Sequence, residues 1–72
     1  METDLEMARR KVREAETQVV KQRKAVDRLR DGGRSTELAL DILEVFEDDL
    51  VQRRMALIRL QMEETFQSVT HH

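Results

Sequence analysis

One spacing constrains this chain more than anything else in it. Leu5, Ala8, Val12, Ala15, Val19, Gln22, Val26 and Leu29 recur at alternating intervals of three and four residues. An α-helix turns once every 3.6 residues, so this spacing gathers those positions into a narrow stripe. The residues between them are mostly charged. Such a helix has one side that needs a partner and a back that is stable in water. The pattern predicts a first helix over about residues 4–31.

The pattern stops at Asp31-Gly32-Gly33. Glycine enters the left-handed region that closes a helix C-terminus without a Cβ penalty. Ser35 suits the next N-cap, and Glu37 favours the positive end of the following helix dipole. A second helix is expected over about residues 36–69, after a turn at 32–35. A connection this short makes the helices antiparallel neighbours.

The second helix carries its own stripe of Ala39, Leu43, Phe46, Leu50, Leu57 and Leu60, interrupted by Arg53. Folding at the turn brings Leu29 to Ala39, Val26 to Leu43, Gln22 to Phe46, Val19 to Leu50 and Val12 to Leu57. The expected seam is therefore Val12, Val19, Val26 and Leu29 against Leu43, Phe46, Leu50 and Leu57. Gln22 and Arg53 are polar positions in that seam, a device that sets register at some cost in stability. The fold class read from this is all-α, a coiled-coil-like antiparallel two-helix hairpin, one domain over residues 1–72.

Composition agrees. There is no Pro, and both glycines sit in the turn. Charged residues make up 39% of the chain and the hydrophobic set another 39%, a balance typical of long helices and coiled coils. The lack of Cys removes disulfides, thiolate metal sites and thiol catalysis. No apolar run approaches the roughly 18 residues that span a membrane. The acidic start, Met1-Glu2-Thr3-Asp4, has no secretory h-region. A cytoplasmic protein without a membrane partner is expected. His71 and His72 carry no weight in the fold.

A second apolar stripe runs along the second helix: Val51, Met55, Ile58, Met62, Phe66 and Val69. It lies roughly 110–140° around the helix from the seam. Ile42 and Val45 widen the apolar surface on the other flank near the turn. One partner helix cannot cover all of this. Two helices that each bury a single face also recover little of the conformational entropy lost on folding. Self-association is expected, most simply a homodimeric four-helix bundle with the second stripe as its interface.

Sites for chemistry are sparse. Glu44 and Glu47 form a Glu-x-x-Glu pair and Glu63-Glu64 an adjacent one, but no His precedes residue 71. Solvated carboxylates are the reading here, and a metal-binding bundle ranks far behind. Ser35 and Thr36 serve the helix cap, and Gly32-Gly33 follows a helix rather than the strand a phosphate loop needs. No catalytic residue, cofactor or metal ligand is expected, and no enzymatic activity.

Charge is segregated. Residues 9–30 carry nine Lys and Arg, and residues 37–49 carry six acids and no base. The hairpin sets Lys21–Arg30 beside Glu37–Asp49, so these charges are expected to pair across it. Arg9, Arg10, Lys11 and Arg13 remain as the candidate basic patch. The first helix has no aromatic side chain on which a base could stack.

Val19, Gln22-Arg23, Val26, Leu29, Gly33, Thr36, Ala39, Leu43, Phe46 and Leu50 together resemble a group of short uncharacterised bacterial helical-hairpin proteins of proteobacterial type. The resemblance covers roughly residues 19–57. The group often has Asp where Ser35 stands, and either residue caps a helix. The resemblance implies a bacterial cytoplasmic protein and brings no activity. The expected function is a non-enzymatic oligomerisation and protein–protein interaction module, a homodimer that also docks a protein partner. The alternative is a nucleic-acid-binding or regulatory hairpin dimer using the basic first helix.

Overall fold

The structure, a computed structural model, describes residues 1–70, with side-chain surroundings for residues 1–67. It is all-helical. Helix α1 spans Asp4–Asp31 and helix α2 spans Glu37–Thr70, and they pack against each other as a hairpin. Among the described residues there is no strand.

Both ends of α1 are defined by local chemistry. Thr3 is its N-cap, with extended backbone. Thr3 Oγ1 accepts from the Glu6 backbone N–H at 3.1 Å, and the Glu6 carboxylate accepts from the Thr3 N–H at 3.4 Å. This reciprocal capping box satisfies two N–H groups that the helix itself leaves free. Its Thr-x-x-Glu signature is present in the sequence at residues 3–6. Acidic Asp4 and Glu6 occupy the first turn and basic Arg28 and Arg30 the last, both favourable to the helix dipole.

The C-terminus closes in a Schellman motif. Gly33 N–H donates to Arg30 O at 3.0 Å and Arg34 N–H to Leu29 O at 2.8 Å. Of the two glycines only Gly33 takes the left-handed conformation, with φ 67°. Gly32 has φ −82°, which any L-residue adopts. The two glycines thus have different roles: Gly33 makes the turn, and Gly32 ends the helix.

Helix α2 opens at Glu37, one residue after the bound expected from sequence. Leu40 N–H donates to Thr36 O at 2.8 Å, so Thr36 rather than Ser35 stands at the cap position. The Schellman closure already engages Arg34, and the chain spends one further residue crossing to the second helix axis.

The seam holds the core. Val12, Ala15, Val19 and Leu50 form one buried cluster, with Leu43, Phe46 and Leu57 packed against it. Val26 and Ala39 are buried nearer the turn. Ala15 and Val19 are 2% and 3% exposed, the most covered side chains apart from Val26. Leu5, Ala8 and Leu29 on α1 and Leu60 on α2 are half-buried at the ends of the seam. Gln22 Nε2 donates to Ala39 O across the seam at 2.9 Å. Arg53 instead turns along its own helix, with Nε 3.0 Å from Asp49 Oδ2.

The hairpin measures 62 × 21 × 13 Å. Its thinnest dimension is about one helix diameter with side chains. It is therefore a single layer, whereas stable domains are built from two or more.

Candidate functional site

The single layer leaves one side of α2 open. Val51, Met55 and Ile58 are 50–54% exposed, and Met62 and Phe66 are 67% and 69% exposed. Spacings of three and four residues put these side chains on one face, turned away from α1. Val69, the last member of the stripe read from sequence, lies outside the residues whose side chains are described. Met62 is central. It lines a shallow groove with Ile58, Gln61, Thr65 and Phe66, and a second with Met55, Ile58 and Arg59. Methionine is flexible and polarizable, so it conforms readily to an incoming surface.

On α2, two exposed apolar side chains stand outside the stripes read from sequence: Leu38 at 73% and Leu40 at 42%. Leu38 stands four residues before Ile42 and seven before Val45, which are 37% and 64% exposed. That i, i+4, i+7 relation was the available signal for Leu38.

The charges pair less across the hairpin than their juxtaposition along the axis suggests. Arg23 Nη2 lies 3.1 Å from Glu47 Oε2, and Arg54 Nη2 lies 3.6 Å from Glu16 Oε2. Both pairs are exposed, and such pairs contribute about 0–1 kcal/mol each. Arg30 turns to Asp27 on its own helix at 3.6 Å. Lys21, Lys24 and Arg28 carry no ion pair among the described residues. The reason is azimuthal: these side chains are exposed, and helical spacing sets them well around α1 from the seam.

The four-residue basic patch is interrupted at its centre. Arg10 donates to both carboxylate oxygens of Glu2, at 2.9 Å from Nε and 3.0 Å from Nη2, and to Glu14 at 2.8 Å from Nη1. The hydrogen bond from Arg10 holds the Glu2 carboxyl below its ordinary range, and the carboxylates hold Arg10 more firmly protonated. Its charge is thereby matched locally. Arg9, Lys11 and Arg13 carry no ion pair among the described residues. Lys11 lines a small cleft at the open end of the hairpin with Asp4, Met7, Arg53 and Leu60.

Glu63 and Glu64 line a groove at that same end with Leu5 and Leu60. Among the described residues no group of three His, Cys, Asp or Glu side chains is placed to hold a metal ion, and no helix is long and apolar enough to cross a membrane. No protein-family model matches the chain, and no match was found among curated proteins or among solved structures.

Proposed function

We propose that this chain is a non-enzymatic interaction module, a bacterial cytoplasmic helical hairpin whose first partner is a second copy of itself. Two hairpins would pack as a four-helix bundle through Val51, Met55, Ile58, Met62 and Phe66 of each α2.

The observation that carries this reading is the exposure of those five side chains, each at least 50% accessible along one face. The total surface supports it. The chain exposes 5974 Å². A compact folded chain of this length exposes about 4,700 Å². The surplus, roughly 1,300 Å², exceeds the ~800 Å² that each partner gives to a standard stable interface. A continuous apolar face of this kind on one chain marks an interaction site, and a two-fold pairing lets one patch serve both copies.

Sedimentation across a concentration series is the test. The expected result is a species of twice the chain mass at micromolar concentration. Met62→Glu should shift it to monomer, with dissociation at least about 100-fold easier, because each carboxylate would enter an apolar contact unpaired. A folded monomer at every concentration would overturn the proposal.

The alternative, nucleic-acid binding by α1, has one observation in its favour: Arg9, Lys11, Arg13, Lys21, Lys24 and Arg28 are exposed and without ion pairs among the described residues. Against it, Glu14, Glu16 and Asp27 are interleaved with them. Retention on heparin that falls steeply with salt would favour this alternative.

A further inference from the structure

Helix α2 has a second uncovered face, distinct from the stripe around Met62. Leu38, Ile42 and Val45 are 73%, 37% and 64% exposed and share one flank of the turn-proximal half. At about 100° per residue, this flank is roughly 120° around α2 from the stripe of Met55, Ile58 and Met62. The two patches also occupy different halves of the helix. One two-fold contact through the Met62 stripe leaves this flank bare.

The charges of α2 itself along this stretch are of one sign. Glu37, Asp41, Glu44 and Asp48 are exposed along the solvent side of the same helical stretch, and none carries an ion pair among the described residues. No Lys or Arg occurs on α2 before Arg53, and Arg53 is turned to Asp49. Arg23 of α1 reaches this stretch only at Glu47, at the edge of the seam. The result is a short apolar strip beside an uncompensated acidic rim.

Charge complementarity selects the occupant. We infer that the flank formed by Leu38, Ile42 and Val45 docks a basic amphipathic helix from another protein. The helix would lay its apolar side chains along the strip and set Lys or Arg against Glu37, Asp41 and Asp48. The strip spans about two helical turns, which suits a short segment. A second copy presenting the same flank is disfavoured, because it would bring two unneutralised acidic rims together. The inference is independent of dimerisation through Met62.

The test uses the full chain, isotope-labelled, titrated with a short amphipathic Leu–Lys helical peptide and followed by amide chemical shifts. Controls are a scrambled peptide of identical composition and a Leu–Glu counterpart. Expected is saturable binding of the amphipathic basic peptide alone, with shifts centred on Leu38, Ile42 and Val45. Leu38→Lys with Val45→Lys should weaken it at least about tenfold, since the change removes apolar contact and adds repulsion. Both side chains are exposed, so the helical circular dichroism should persist. Met62→Glu should leave peptide binding intact, which separates this result from the fate of the dimer. Equal binding of the scrambled peptide, shifts centred on Met55 to Phe66, or indifference to the double substitution would each overturn the inference. So would a change in the chain's own sedimentation on Leu38→Lys with Val45→Lys, since it would place a second copy on this flank.

Discussion

The two helices face the same seam but differ in what they leave uncovered. Helix α1 places Val12, Ala15, Val19 and Val26 in the seam, and Val20 is its one large apolar side chain that is well exposed within Asp4–Asp31. Helix α2 buries Ala39 and Leu50 but leaves Leu38, Val45, Val51, Met55, Ile58, Met62 and Phe66 half or more exposed. A helix with a narrow apolar stripe is satisfied by one neighbour. A helix with apolar side chains around much of its circumference is not, and in water the remainder must be covered or borne as a cost. The hairpin is thus complete on one side of its seam partner and incomplete on the other.

The sharpest way to break this contrast is to shorten a seam side chain. Leu50→Ala should destabilise the hairpin by about 2–5 kcal/mol, because it removes a buried side chain and leaves a cavity beside Val19. Urea melts followed by circular dichroism would measure it. Ile58→Ala, on the open face, should leave unfolding of the isolated hairpin nearly unchanged and act only where association contributes. Equal losses from both substitutions in dilute, monomeric protein would erase the distinction between the faces.

A smaller effect tests the turn that holds the two helices in register. Gly33→Ala should cost about 1–2 kcal/mol, since a Cβ is disfavoured at φ 67°. Gly32→Ala should be close to neutral. Its φ is ordinary, and an added Cβ would meet Arg28 O at 3.4 Å and Leu29 O at 3.7 Å, which is van der Waals contact. Thermal melts of the two variants side by side would reveal an asymmetry that the paired glycines conceal in the sequence.

The smallest effect concerns the start of α1. The folded Glu2 carboxyl lies below its ordinary value of 4.5, because Arg10 donates to its charged form. The Glu2–Arg10 contact therefore contributes above that value and is lost as pH falls through the lower folded one. A carbon-detected titration should place the Glu2 midpoint below 4.5, and Arg10→Gln should return it to the ordinary range. An unshifted midpoint in the parent chain would remove the clasp from the account.

Much of this architecture is legible without coordinates. The three-and-four spacing from Leu5 to Leu29 calls for a helix, the glycine pair for a turn, and the second stripe for apolar surface beyond one partner's reach. These features are local, and helical periodicity converts sequence distance directly into angle around an axis. The charge pattern was less legible. Lys21, Lys24 and Arg28 lie level with the acidic block in the hairpin, yet Arg23 alone of that group bonds across to it. Gln22 was expected opposite Phe46, and its amide reaches the Ala39 carbonyl.

Sequence by itself determined that this chain is two helices, where it turns, and that its second helix carries more apolar surface than its first can meet. Tertiary structure decided which charges find each other between the helices, Arg23 with Glu47 and Arg54 with Glu16, and that the Gln22 amide reaches the Ala39 carbonyl. Helix formation and apolar periodicity depend on neighbours three and four residues away. Ion pairs between the helices, such as Arg23–Glu47 and Arg54–Glu16, depend on where long side-chain ends arrive in space, and that follows only once two helix axes are set side by side.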